Sequence, residues 1–155
     1  MLGFIFRLIR LVLIAVLGAA LAAKLLLRSH AVAGTEEIDL VNIFGGEELV
    51  SSADPFFGGK VTTILGGTQL DLRRAVPAPT GIYLDVLVGL GGLSLLLPPG
   101  WKVVFDGTVV AGGFEDLTQP VTDPDAPIVR VGGLVVLGGL VAMTRHPVEP
   151  VEPRT

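Results

Sequence analysis

Six carboxylates of the chain are candidates for chemistry between two acids. A pair of carboxylates can hydrolyse a glycosidic bond, one acting as the acid and the other as base or nucleophile. These candidates are Glu47, Glu48, Asp71, Asp85, Glu115 and Asp116. They are distant in sequence and could form such a pair only if the fold brought them together. Because acidic side chains are usually exposed, we interpret all six as solubilising residues on a β surface.

The main domain lacks the side chains that nucleophilic catalysis requires. The chain has no cysteine, and its two histidines, His30 and His146, flank the main domain. Ser51, Ser52 and Ser94 therefore have no histidine within the domain to complete a hydrolase triad. We predict that the protein is not an enzyme.

Metal and cofactor motifs are also incomplete. Asp123 and Asp125 in the turn DPDAP offer far fewer oxygens than calcium prefers. The sequence GLGG (89–92) lacks the third glycine and the following helix of a dinucleotide-binding loop. We therefore expect neither a metal nor a cofactor.

The first 28 residues predict a membrane anchor. They hold Arg7, Arg10, Lys24 and Arg28 and no acid, and an uninterrupted apolar run extends from residue 11 to residue 23. If Lys24 snorkels, the run reaches about 25 Å of helix, the lower limit for crossing a ~30 Å hydrocarbon core. Charge at both ends with an apolar middle favours one spanning helix. A cleaved signal ahead of AVA (31–33) and an interfacial helix are the alternatives.

The rest of the chain is acidic. All fifteen carboxylates but only seven of the eleven Lys and Arg residues follow residue 28, which leaves a net charge of −8 there. A basic segment followed by an acidic domain suits a membrane neighbour and argues against nucleic-acid binding. The positive-inside rule slightly favours an extracytoplasmic domain.

Paired glycines recur through the acidic region. The pairs begin at residues 45, 66, 91, 112 and 138, with separations of 21, 25, 21 and 26 residues, and an additional pair lies at 58–59. A period in the twenties indicates stacked repeats. Glycine permits sharp corners and close approach of stacked backbones. The predicted corner residues are Gly45, Gly46, Gly66, Gly67, Gly91, Gly92, Gly112, Gly113, Gly138 and Gly139.

The segments between the glycine pairs alternate as β-strands do. In GIYLDVLVGL, Ile82 and Leu84 share one face while Tyr83 and Asp85 share the other. Turn sequences such as PAPTG and PPG separate the segments, and no stretch after residue 35 has helical periodicity. We therefore predict an all-β domain, a β-solenoid whose coils of 21–26 residues stack each on the previous one. An antiparallel sandwich is the alternative.

Four segments together resemble a known family. They are ILGGTQLDLRRA (64–75), GLGGLSLLLPPGWKV (89–103), VAGGFED (110–116) and VRVGGLVVLGGLV (129–141). Their order and spacing resemble the C-terminal domain of the LiaF-like proteins, the cell-wall-active antibiotics response family. The resemblance implies a small membrane-tethered β-solenoid that senses or transmits envelope stress, in some members by restraining a sensor histidine kinase. It carries over no catalytic residue; Asp71, Gly100 and Trp101 match structural motif positions only.

These features predict a domain organisation and a function. Residues 1–28 form the anchor, 29–37 a linker, 38–144 the solenoid and 145–155 a solvated tail rich in Pro and Glu. We expect a single-pass membrane protein that acts through protein contacts in envelope stress sensing. Its expected partner is a sensor histidine kinase or another membrane protein. A self-assembling scaffold on the membrane is the alternative.

The expected contact residues lie in the last coil and beside a turn. A terminal coil exposes its strand edge, and the apolar segment Val135–Met143 needs a cover or a partner. We therefore predict self-association or partner docking through Val135, Leu137 and Leu140. Trp101 either packs at a coil corner or anchors a partner.

Overall fold

The computed structural model describes residues 34–146, together with residues 3, 5–7, 10–11 and 14–15. The described residues before Gly34 are helical and exposed. Most of the predicted anchor, and the tail after His146, lie outside the described residues. Within the described part of the chain, no helix is both long and apolar enough to cross a membrane.

Residues 37–144 fold into β-strands joined by turns. Alternating apolar and polar residues produce the strands, and glycine, proline or Asp-Gly sequences separate several of them. The strands are β1 (Glu37–Val50), β2 (Gly58–Asp71), β3 (Ile82–Val88), β4 (Gly92–Leu97), β5 (Lys102–Phe105), β6 (Thr108–Val110), β7 (Gly113–Leu117), β8 (Ile128–Val136) and β9 (Gly139–Thr144).

All of these strands pair in parallel. The chain passes through five coils: coil 1 (β1), coil 2 (β2), coil 3 (β3 and β4), coil 4 (β5, β6 and β7) and coil 5 (β8 and β9). Parallel pairing of neighbouring coils gives a solenoid-like stack. The all-β prediction is confirmed, and the antiparallel alternative is wrong.

The coils do not stack in sequence order. Ile82 of coil 3 pairs with Val129 of coil 5, and Val129 pairs on its other side with Val103 of coil 4. Likewise, Gly139 lies between Gly92 and Gly113. Coil 5 therefore lies between coils 3 and 4. The prediction that each coil stacks on the previous one is wrong at this point.

One inward-facing column of side chains accounts for this order. Leu49, Leu70, Leu95 and Ala142 are register partners in coils 1, 2, 3 and 5, and the corresponding residue of coil 4 is Asp116. A buried carboxylate without a partner is costly, whereas Asp116 at the end of the stack stays exposed. This carboxylate favours the end position for coil 4, and the apolar coil 5 fills the interior position.

The core follows from strand alternation. Ile82, Leu84 and Val86 are buried in β3, whereas Tyr83 is 66% exposed on the opposite face. Corresponding side chains from neighbouring coils form one continuous apolar cluster. Each fully buried Leu, Ile or Val contributes about 1.5–3 kcal/mol relative to its exposed state.

The first glycines of the five predicted pairs form one column at the corner. A Cβ on Gly66 would lie 2.9 Å from the nitrogen of Gly45 and nearer still to its carbonyl oxygen. Gly91, Gly138 and Gly112 continue the column with similarly close backbone approaches. The second glycines are also register partners, but a Cβ on Gly67 would meet no atom within 4 Å. The corner therefore needs glycine at the first position of each pair for backbone clearance.

Candidate functional site

The two ends of the coil stack differ in how well their interior is covered. In coil 1, Ile38 and Leu40 are 3% and 0% exposed, and Leu49 is half-buried. In coil 4, Val103, Phe105 and Phe114 are only half-buried, although they pack against the same core. The rings of Phe105 and Phe114 stack with centroids 4.7 Å apart. We name this surface, formed by β5, β6 and β7, the coil-4 end; here the apolar interior reaches the surface.

The strands of the coil-4 end also have a free edge. β5 and β6 pair with β8, and β7 pairs with β9; no other strand of residues 34–146 pairs with them. Such an edge offers backbone N–H and C=O groups to an added strand. Asp106, Glu115 and Asp116 are exposed along it. An apolar centre, a free strand edge and an acidic rim together suit contact with another protein.

The structure corrects the contact site predicted in the last coil. Val135 and Leu140 are 0% exposed, because coil 5 is paired on both sides within its own chain. Neither residue is accessible to a partner. Leu137, at the corner between β8 and β9, is 57% exposed. Trp101 is 6% exposed and belongs to the core cluster, in agreement with the packing alternative rather than the anchor alternative.

The six carboxylates considered for acid–base chemistry are dispersed. Glu48 accepts a hydrogen bond from Gln69 at 2.9 Å, and Asp85 lies 3.7 Å from Lys60, both on exposed surface. Asp71 is the buried member of the six. Among the described residues, no group of three or more His, Cys, Asp or Glu side chains is placed to hold a metal ion.

Asp71 and Arg73 form a structural clamp. Arg73 donates from Nη2 to Asp71 Oδ2 at 2.6 Å and from Nε to Asp71 Oδ1 at 2.9 Å. Its Nη1 donates to the carbonyl of His146 at 3.0 Å, which ties the end of coil 2 to the chain leaving coil 5. Burial alone would raise the pKa of Asp71. Hydrogen bonds from Arg73 and the charges of Arg73 and Arg74 outweigh burial and hold that pKa below its ordinary value of 3.8. This carboxylate is therefore ionised and fully used within the fold.

A second buried polar group lies between coils 1 and 2. Asn42 Nδ2 donates to the carbonyl of Gly67 at 2.9 Å and to Thr68 Oγ1 at 3.1 Å. The hydroxyls of Thr63 and Thr68 are 2.6 Å apart. This network was not predicted from the sequence, although Asn42 lies two residues after Leu40 in β1 and therefore faces the same side of the strand. Because these hydrogen bonds are internal, the network fixes the register of the two coils.

A shallow cleft lies between two turns at the start of β3 and β8. It has a volume of about 380 Å³ and is lined by residues 77–83, 125–128 and Arg130. Tyr83 and Arg130 are its aromatic and basic side chains. The cleft lies beside the strand faces, whereas the coil-4 end combines a free edge with exposed interior. The coil-4 end is therefore the stronger candidate.

Comparison with known proteins identifies no family. No family model matches the chain, and the comparison with solved structures found no match. The uncharacterized protein MT0994 of Mycobacterium tuberculosis (strain CDC 1551 / Oshkosh) is 33% identical over 88 residues. The match covers 57% of this chain and 44% of that protein. The chain thus matches less than half the length of this relative.

Proposed function

We propose that the chain is a non-enzymatic, membrane-anchored β-solenoid that acts through protein–protein contacts in cell-envelope stress sensing. In this proposal it regulates a sensor histidine kinase or another membrane protein. The observation that carries the contact function is the coil-4 end, where Phe105 and Phe114 are half-buried beside a free strand edge.

The envelope setting is supported by the sequence. The first 28 residues carry four cations, no acid and an apolar middle, as a spanning anchor does. The acidic domain that follows is suited to lie beside a membrane protein. The resemblance of residues 44–143 to the LiaF-like domain favours envelope stress as the stimulus. The small charge bias of the anchor slightly favours placement of the domain outside the cytoplasm.

Partner contact is tested by site-specific photocrosslinking in cells. A photoreactive residue replaces Thr108 at the coil-4 end in one strain and Thr62 in another. The two threonines lie in the same outward column, but Thr62 is in coil 2 and has neighbouring coils on both sides. We expect a distinct partner from position 108 and none from position 62. Equal crosslinking from both positions, or only self-crosslinks from position 108, contradicts the proposal.

The membrane anchor is tested separately. Cell fractionation is combined with protease treatment of intact cells and spheroplasts, and the fragments are detected through a C-terminal epitope. We expect the chain in the membrane fraction and the domain to be digested from outside. Recovery in the soluble fraction eliminates the anchor, and protection until lysis moves the domain and its partner to the cytoplasm.

A further inference from the structure

We propose that the coil-4 end docks the terminal coil of a different protein, one that carries basic residues at two fixed positions, and that like charge disfavours stacking of a second copy of this chain. This inference rests on the proposed contact function and adds the chemistry of the partner. It derives from the register of the stack and from the charges at its two ends.

Two outward columns run along the stack. The first contains, in stacking order, the register partners Asp39, Lys60, Asp85 and Gly132. Asp106 of coil 4 extends this column, because it directly follows Phe105, the register partner of Val131, and its backbone N–H donates to the Val131 carbonyl at 2.9 Å. The second contains, in the same order, Glu48, Gln69, Ser94, Val141 and Glu115. In both columns, each end coil presents an exposed carboxylate.

Within the stack, acids of the first column have a cation on a neighbouring coil. Lys60 lies in register between Asp39 and Asp85, with its Nζ 3.7 Å from Asp85. Arg130 of coil 5 lies 3.8 Å from Asp106 on the inner side of coil 4. A coil added to the outer side of coil 4 extends this pairing if it places a base opposite Asp106. The second column holds no cation, and a second base opposite Glu115 would neutralise its exposed end carboxylate. Opposite charges in directly facing strand positions stabilise pairing.

Backbone geometry further defines the partner coil. In coil 2, the glycine pair lies six and seven residues after Lys60, and Gln69 lies nine residues after Lys60. The residues of the two columns and the glycine pair have the same spacing in the other four coils. A Cβ on Gly112 would overlap the backbone of Gly138, so neighbouring corners approach too closely for a side chain. The docking coil therefore needs a base, a glycine six residues later for backbone clearance, and a second base at the ninth residue.

A second copy has the glycine pair but the wrong charges. If coil 1 of one copy stacked in register on coil 4 of another, Asp39 would face Asp106 and Glu48 would face Glu115, about 4.8 Å apart between adjacent strands. Like charges directly opposite each other destabilise strand pairing. Head-to-tail filaments are therefore disfavoured, which weighs against the scaffold alternative.

A charge-reversed copy of the chain supplies the required probe. The double variant D39K/E48K presents bases at both positions around the Gly45–Gly46 corner. Because the chain has no cysteine, V41C and T108C give a clean disulfide readout. These positions share an outward column and would face each other only when coil 1 stacks in register on coil 4. Full-length proteins are purified in mild detergent and oxidised at low salt.

The direction of crosslinking decides the outcome. The probe carrying V41C should crosslink to the otherwise native chain carrying T108C. The reverse combination, native V41C with probe T108C, should not. Exchanging two acid–acid pairs for two acid–lysine pairs should increase the association constant about 30-fold. Raising the salt to about 1 M should remove most of this difference, because screening then acts within about 3 Å.

A second variant protects the test against misfolding of the first. This variant, D106K/E115K, carries T108C and presents its lysines on coil 4. It should crosslink to the native chain carrying V41C, whereas the first probe carrying T108C should not. Crosslinking of the native pair as strong as that of either charge-matched pair overturns the proposal, as does the absence of crosslinking in both charge-matched pairs. Either result leaves the membrane anchor and the photocrosslinking of a cellular partner to be judged by their own experiments.

Discussion

Substitution of adjacent glycines at one corner tests whether backbone clearance builds the stack. A Cβ at position 66 would lie closer to the Gly45 carbonyl oxygen than the 2.9 Å that separates it from the Gly45 nitrogen. Favourable contact needs about 3.5 Å or more, so G66A must push the strands apart. Overpacking costs about 1–3 kcal/mol, and weakened ladder hydrogen bonds add about 1 kcal/mol each. We expect G66A to lower the free energy of unfolding by about 3 kcal/mol, or Tm by roughly 10 °C.

The neighbouring substitution is the matched control. A Cβ at position 67 would meet no atom within 4 Å, and the backbone there does not have positive φ. G67A should therefore change stability by about 0.5 kcal/mol or less, with a small gain possible from a stiffer unfolded chain. Thermal and urea unfolding of the full-length chain in mild detergent can be followed through the fluorescence of Trp101, the single tryptophan. Equal losses in G66A and G67A would refute the clearance argument.

Other perturbations test the clamp and the last coil. R73A should cost about 3 kcal/mol, because it leaves the buried Asp71 carboxylate without its cation; urea unfolding measures the loss. Because the pKa of Asp71 is lower in the folded than in the unfolded chain, its stabilisation is complete above its ordinary pKa of 3.8 and is lost as pH falls through the folded pKa. In Tm measured against pH, D71N should be less stable at neutral pH and lose this part of the acid-side decline. L140A should cost about 2–5 kcal/mol by leaving a cavity. L137N should be neutral or stabilise by about 1 kcal/mol, because Leu137 is exposed with φ of 53°, a conformation that asparagine tolerates better. Thermal unfolding compares L140A with L137N. Equal destabilisation by the two substitutions would contradict the difference in burial.

Local signals in the sequence were sufficient for the class of fold. Alternation in β3 placed Leu84 inward and Tyr83 outward, because a strand on a core must bury one face. The coil order could not be read from spacing, because Gly91 precedes Gly112 by 21 residues yet stacks beside Gly138. The informative signal was Asp116 in an otherwise aliphatic inward column. It becomes recognisable only after the register aligns it with Ala142.

Because spacing does not reveal the order of the coils, the contact site was predicted in coil 5, whereas the free edge belongs to coil 4. Val135 and Leu140 have the composition of an interface, but apolar strands fill the interior of a stack equally well. Parallel pairing on both edges of coil 5 determines which alternative holds. The clamp by Arg73 was missed for a similar reason, since its bond to the His146 carbonyl joins residues far apart in sequence.

The order of the coils has a consequence for contact with other proteins. Coil 4 receives the chain from coil 3 and returns it to coil 5, so both of its connections run back toward the interior of the stack. The chain leaves the described domain at coil 5, where the carbonyl of His146 is held by Arg73. The edge of coil 4 is therefore not continued by a further coil of residues 34–146. Its carboxylates disfavour copies of the same chain, while its backbone edge and half-buried aromatic rings suit a partner with complementary charge.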